Sequence, residues 1–289
     1  MSNDNKALLA FFSHHKCASS WILRNIWNFT ADRGYKTRLI RGTDSKEQVA
    51  EVFSSNLNKD TATVALTNAR WDMVSALPEF RGFHVVRDPR DMLVSAYFSH
   101  LKSHKVYENT PQVFIEHREK LKSLSLEAGL LAEITGPMKD VFHDMREWNP
   151  EEEDGIIEVK MEDLTANPAE EFQRIFEALD IPVTSEFFPL WWLRSRCNQY
   201  AIRKFGKGVF KSQGIDIKSL KWHTERLAFS KLTGRKKGEE NTNSHLRKGV
   251  AGDWVNYFSP ELKQIFNEKQ GDLLIKYGYE ESNDWLRAL

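Results

Sequence analysis

The chain has 289 residues, enough for one large domain or two small ones with a full hydrophobic core. Its 41 Lys and Arg balance 41 Asp and Glu, so global charge selects neither nucleic acid nor an anionic surface as a partner. Two cysteines, Cys17 and Cys197, exclude a disulfide framework, and no run of 18 apolar residues is present to span a membrane. The opening MSNDNK has no basic leader and no long apolar stretch, so the expected location is cytoplasmic.

In chain order, the apolar run 7–12 predicts a buried strand. From Ala18 the pattern changes: Trp21, Ile22, Ile26 and Phe29 recur at helical spacing, and Gly34 is a stop signal. Residues 35–40 predict a strand, 45–57 a helix, and the β-branched run TATVALT at 61–67 another strand. FHVV at 83–86 predicts a fourth strand, with a helix starting at Pro89. The stretch 108–148 reads as mostly helical with a break at Gly136-Pro137. PEEEDG at 150–155 reads as an acidic solvated turn, 156–159 as a short strand and 169–179 as a helix. There is no internal repeat and no low-complexity tract. Strands alternating with helices predict an α/β fold: a single domain over 1–289 with a central, mostly parallel sheet flanked by helices.

Three stretches carry chemistry. The first is FFSHHKCASSWI at 11–22, where Lys16 follows a strand and immediately precedes a helix. In a parallel sheet, ligands sit at the carboxyl ends of strands. A helix start there offers unpaired N–H groups and the positive end of its dipole, and Ser19 and Ser20 add hydroxyls. That combination suits a phosphate or sulfate. A solvated lysine beside two capping serines explains the same residues. The usual Gly-x-x-x-x-Gly-Lys-Ser/Thr phosphate loop is absent, which argues against ordinary ATP cradling.

The second stretch is FHVVRDPRDMLVSAYFSH at 83–100. Arg87 leaves the end of a strand, Asp88 can cap the next helix, and Pro89 suits its first position. Ser95 leans back toward Arg87 along that helix, so the two can converge on a second phosphate. An Arg87–Asp91 ion pair at the helix start is the bland alternative. The third stretch is LRKGVAGDW at 246–254, with Arg247 and Lys248 before Gly249. Residues 203–248 hold 13 Lys and Arg against 4 Asp and Glu, a basic segment suited to closing over an anionic ligand or to plain solvation. No nucleic-acid-binding motif is present.

These three stretches, in this order, resemble the sulfotransferases that use 3'-phosphoadenosine 5'-phosphosulfate (PAPS). The family's first loop reads approximately Pro-Lys-Ser-Gly-Thr-Thr-Trp, against His15-Lys16-Cys17-Ala18-Ser19-Ser20-Trp21. Arg87-Asp88-Pro89-Arg90-Asp91 with Ser95 matches the second motif. Arg247 to Trp254 matches every fixed position of the third, Arg-Lys-Gly-x-x-Gly-Asp-Trp. KMEDLTANP at 160–168 resembles the family's Tyr-Glu-Asp-Leu segment. The resemblance implies a P-loop-like sulfotransferase fold, PAPS as sulfuryl donor, PAP (3',5'-bisphosphoadenosine) as product, and a small-molecule, glycan or lipid acceptor. It implies that the loop from Lys16 through Cys17, Ala18, Ser19 and Ser20 holds the 5'-phosphate and that Trp21 stacks on adenine. Arg87, Ser95, Arg247, Lys248 and Gly249 then hold the 3'-phosphate. Lys16 stabilises the leaving phosphate oxygen, and protein cations handle the donor's charge without a metal.

The chain departs from the family at several positions. Thr67-Asn68 stands where many cytosolic members carry Thr-His, whose histidine is the acceptor's base. His15, in place of a proline bordering the acceptor pocket, is the first candidate to replace it, since imidazole titrates near neutral pH. His14, His100 and His104 are lesser candidates. Ala18 replaces the family glycine, so a loop needing positive φ there would have to bend differently. Met161 replaces a tyrosine that often contacts adenine. The family's C-terminal dimer signature is missing at Val255, Ser259, Pro260 and Gln264, and no dimer is expected from it. FPLWWLRSRCNQY at 188–200 is expected to bury Trp191 and Trp192 in the core. Two rival readings remain open: a nucleotide-binding protein that has lost its base, and a P-loop ATP phosphotransferase.

Overall fold

The computed structural model describes residues 8–42, 44–54, 61–108 and 110–287. Residue 7 of the first expected strand and residues 55–57 of the helix expected over 45–57 lie outside that set. The chain divides into two compact units, each assembled from two separate segments: Met1–Val86 with Glu147–Lys231, and Arg87–Arg146 with Leu232–Leu289.

The first unit opens with β1 (Leu8–Ser13), α1 (Ser19–Asp32), β2 (Lys36–Arg41), α2 (Lys46–Ser54), β3 (Thr61–Thr67), α3 (Trp71–Val74) and β4 (Phe80–Val86). The second unit follows with α4 (Pro89–Phe98), a π-helical turn (Ser99–Ser103), α5 (Gln112–Ser123), α6 (Leu126–Thr135) and α7 (Pro137–Glu147). The chain returns to the first unit for β5 (Ile156–Lys160), α8 (Met161–Ala166), α9 (Pro168–Ala178), β6 (Val183–Thr184), α10 (Phe188–Phe205), β7 (Ile215–Asp216), α11 (Ile217–Arg226) and α12 (Phe229–Thr233). A 3-10 turn (Asp253–Asn256) and α13 (Pro260–Lys276) complete the second unit.

The first unit holds a five-stranded, wholly parallel sheet of order β2-β3-β1-β4-β5. β1 lies at its centre because its sequence, LLAFFS, is apolar on both faces, and all six residues are buried. Ala10 and Phe12 join Val64, Leu66, Phe80 and Trp148 in one core cluster. Phe11, pointing the other way, stacks on Phe83 at 5.1 Å. α1 buries Ile22, Leu23, Ile26 and Phe29 at the expected spacing. It stops at Gly34, which has φ of 83° and lies where a Cβ would stand 2.3 Å from the Phe210 carbonyl oxygen. Both facts require glycine.

α1 is tied to α10 and α11 by a buried carboxylate that the sequence reading missed. Asp32 accepts from Ser195 Oγ (2.6 Å), Gln199 Nε2 (2.8 Å), Ser219 Oγ (2.7 Å) and His223 Nε2 (2.9 Å). The expected helix over 108–148 is three helices, because Ser125 caps α6 by accepting from the Ala128 N–H, with Leu124 extended before it. Trp191 is buried as expected, but Trp192 is 42% exposed, since α10 turns only its 191, 195, 198 and 201 face inward. The basic stretch 203–248 is split between the units and partly folded into α10, β7, α11 and α12. No helix among the described residues is long and apolar enough to cross a membrane.

Candidate functional site

In the first unit, the loop from β1 to α1 leaves the carboxyl end of the central strand. Two of its residues take the left-handed conformation without being glycine: Lys16 (φ 70°) and Ala18 (φ 54°). Ala18 is the N-cap of α1, and its carbonyl accepts from the Trp21 (2.9 Å) and Ile22 (3.1 Å) N–H groups. The replacement of glycine by alanine therefore leaves the positive φ in place, with strain rather than a different bend. No acidic residue occupies the first turn of α1, so the positive end of its dipole is not neutralised from within the helix.

Lys16, His15 and Ser19 are half-buried and Ser20 is exposed. Ser13 Oγ donates to Ser19 Oγ (2.8 Å), and Ser19 Oγ lies 3.3 Å from the His14 carbonyl oxygen, which fixes the loop against the strand end. Cys17 is fully buried and donates its N–H to the His14 carbonyl (3.3 Å), so its thiol faces the core. Trp21 donates its indole N–H to the Leu227 carbonyl (2.7 Å), which anchors one edge of the ring. His14, a lesser base candidate, is buried edge-on to His84 (4.9 Å) and Trp148 (5.8 Å). His84 in turn meets Glu158 through Nδ1 at 2.9 Å. Asn68 follows β3 at the same edge of the sheet as this loop, exposed and at φ of 55°, a conformation asparagine tolerates. Met161 is buried at the start of α8.

In the second unit, Arg87 comes immediately before α4 and is half-buried. Asp88 caps α4 by accepting from the Arg90 N–H (2.9 Å), with Pro89 next, as the sequence implies. Arg90 is buried by its Asp88 (2.7 Å) and Glu280 (2.5 Å) pairs and lies over Trp254 at 4.0 Å, which makes it a structural cation. Asp91 does more than pair with Arg87. Its carboxylate accepts from the backbone N–H of Gly252 (2.7 Å) and Trp254 (2.9 Å), so the second motif holds the third in place. Burial pushes the Asp91 carboxyl up, and the opposing pull of Arg87 and those two amides does not cancel it.

Arg247 and Lys248 both reach Asp253, each at 2.5 Å, and Arg247 also pairs with Glu240 and stacks over Phe98 at 4.8 Å. Burial pushes Asp253 up, but hydrogen bonds from Lys248, Arg247 and Asn256 outweigh it and hold the carboxyl below its usual value. Gly249 and Gly252 take φ of 69° and 72°, so the loop turns where only glycine does so without strain. Ser95 is half-buried on α4. Arg87, Ser95, Arg247, Lys248 and Gly249 thus all belong to the second unit, whereas Lys16 and the loop around it belong to the first. The His100–Glu133–His117 cluster, also in the second unit, went unrecognised because its members lie 17 and 16 residues apart in sequence.

A parallel sheet of this order, with a cationic loop between its central strand and a helix, defines a P-loop-like α/β protein. The family model described as "Sulfotransferase domain" matches residues 74–278, and the chain belongs to that family. The match covers the second and third motifs and leaves the loop at 14–18 outside it. A crystal structure of mouse sulfotransferase SULT7A1 complexed with PAP is similar at a TM-score of 0.58 and 14% identity, over 99% of this chain and 90% of that one. Retinol dehydratase in complex with androsterone and inactive cofactor PAP is similar at 0.46 and 15%, over 92% and 80%. Retinol dehydratase in a complex with retinol and PAP is similar at 0.47 and 16%, over 92% and 81%. No curated protein matches the chain.

Proposed function

We propose that the chain is a PAPS-dependent sulfotransferase that moves a sulfuryl group to the hydroxyl, or amine, of a small-molecule, glycan or lipid acceptor in the cytoplasm. One observation carries this reading beyond the family match: a lysine in a strained loop stands beside an acid-free helix start at the carboxyl end of the central strand. That arrangement suits a 5'-phosphate, and the cations of the second and third motifs suit a 3'-phosphate. Bound PAPS supplies the activated sulfuryl group, whose S–O bond to the 5'-phosphate breaks as the acceptor oxygen or nitrogen bonds to sulfur. Lys16 meets the charge that develops on that phosphate oxygen. His15 takes the acceptor's proton, the role Asn68 cannot fill. The loop from Cys17 through Ala18, Ser19 and Ser20 orients the 5'-phosphate, and Trp21 takes the adenine side. Arg87, Ser95, Arg247, Lys248 and the Gly249 amide read the 3'-phosphate. On this reading the whole chain works as one transferase domain, with residues 203–248 closing over the donor.

Asn68 also favours a second reading, a PAP-binding protein without turnover. A thermal-shift comparison and a labelled-donor acceptor screen separate the two. PAP at a hundredfold excess over its Kd should stabilise the protein by about 2.7 kcal/mol. AMP and Mg·ATP should do less at equal concentration. Turnover in the screen should fall in His15→Ala while the PAP shift persists. Equal shifts with PAP and AMP contradict the proposal, a shift with Mg·ATP alone points to a phosphotransferase, and a PAP shift without turnover on any acceptor selects the non-catalytic reading.

A further inference from the structure

Three helical segments of the second unit converge on one carboxylate. Glu133 of α6 is fully buried. His100, in the π-helical turn, holds Nδ1 at 3.0 and 2.9 Å from its two oxygens, and His117 of α5 holds Nε2 at 2.9 Å from Oε1. One ligand atom from each of the three lies within 4.8 Å of the other two. Burial pushes the Glu133 carboxyl up, but the two imidazoles outweigh it and keep it below its usual value. The oxygen is therefore an anion, and the hydrogens it meets sit on the imidazole nitrogens.

Sulfuryl transfer does not call on this cluster, yet the local structure is built around it. α5 has a single buried side chain, Leu121, far less than a docked helix usually brings to its contact. Other ties run through the cluster: Arg118 donates to the carbonyls of His100 (2.6 Å) and His104 (2.5 Å), and Phe114 packs against the His100 ring at 5.3 Å. His100 sits in a π turn, a rare conformation that recurs at functional sites. Gly136 leaves room for the His117 ring, since a Cβ there would stand 3.2 Å from His117 Cε1 and 2.7 Å from the Ala132 carbonyl oxygen.

We propose that His100, His117 and Glu133 form a structural zinc site that staples α5 and α6 to the π turn. Two imidazole nitrogens and one carboxylate oxygen are a ligand set zinc takes, with water in the fourth position. Nitrogen ligands favour zinc over calcium or magnesium. Bonds of about 2.1 Å around a tetrahedral ion set ligand-to-ligand edges of about 3.4 Å. The N···O separations of 2.9 to 3.0 Å need open only slightly to admit it. Zinc takes the place of the hydrogens between each ring and Glu133, each neutral ring keeping its hydrogen on the opposite nitrogen, and no electron is transferred.

The test uses the tag-free full chain, stripped with a chelator and titrated with Zn²⁺, Co²⁺ or Mg²⁺. One equivalent of Zn²⁺ should bind and raise Tm by roughly 5 °C at a hundredfold excess over Kd. Co²⁺ should give the visible absorption of a four-coordinate site, and Mg²⁺ should do neither. His117→Ala and Glu133→Gln should weaken Zn²⁺ binding at least about a hundredfold. His143→Ala, an exposed histidine of α7, should leave it unchanged. Absence of saturable Zn²⁺ binding to the wild-type chain overturns the site and leaves a hydrogen-bonded network. So does an undiminished shift in His117→Ala and Glu133→Gln. If either variant fails to fold, the Co²⁺ spectrum of the wild-type chain decides: a six-coordinate spectrum, or none, overturns it.

Discussion

Ala18 occupies a backbone conformation that costs an ordinary residue about 1 to 2 kcal/mol, and Lys16 two positions earlier does the same. Strain of this kind persists where the surroundings over-determine it, and such places cluster at ligand sites. Here the surroundings are concrete: Ser13 holds Ser19, the His14 carbonyl receives the Cys17 N–H, and α1 begins on the Ala18 carbonyl. Ala18→Gly removes the Cβ that makes φ of 54° expensive, so it should raise stability by about 1 kcal/mol in denaturant unfolding. The offset is the larger entropy of glycine in the unfolded chain, which is why the gain stays below the full strain. A destabilised Ala18→Gly would show that the alanine side chain is itself needed by the loop. Asn68 is a similar case with less strain, because its own side chain tolerates left-handed backbone.

At the scale of elements, the Asp32 carboxylate binds three helices of the first unit together. It is 3% exposed, and four donors from α10 and α11 meet it at the last residue of α1. Burial alone would raise its pKa, but His223, Ser195 and Ser219 outweigh burial, and the carboxyl titrates below its ordinary value of 3.8. The sign follows from linkage. A folded-state pKa below the unfolded one contributes stability that is complete above the unfolded value and is lost as pH falls through the folded one. Asp32→Asn should therefore cost about 3 kcal/mol near neutral pH, as expected for removing one partner of a buried charged network. Its penalty should shrink below pH of about 4, seen as a shallower acid limb in urea midpoints measured against pH. A penalty unchanged down to low pH would mean that the hydrogen bonds, and not the charge, are what α10 and α11 require.

At the scale of the molecule, the sheet was legible because its strands are short, apolar and bounded by turn residues. TATVALT runs over the same residues in sequence and structure, Thr61–Thr67, and Pro89 begins α4 as its fixed φ requires. The loop from β1 to α1 was legible from its cations and small residues. What escaped depends on contacts distant in sequence. Asp32 reads as an ordinary polar residue near a helix end until α10 and α11 arrive. Asp91 reads as a partner for Arg87 until the Gly252 and Trp254 amides are placed on it. The break before α6 carried a local signal, Ser125 followed three residues later by the N–H it caps, but the helical composition on both sides obscured it.

The central claim is that one bisphosphate nucleotide is read by both basic sets, Lys16 at the 5'-phosphate and Arg87 at the 3'-phosphate. Isothermal titration of PAP and AMP into the wild-type chain, Lys16→Ala and Arg87→Ala tests it most directly. The expected result is that Lys16→Ala weakens both nucleotides. Arg87→Ala should weaken PAP by roughly 10- to 100-fold while leaving AMP unchanged, as the loss of a charged hydrogen-bond partner implies. Equal affinity of the wild-type chain for PAP and AMP, or PAP binding indifferent to Arg87→Ala, would contradict it.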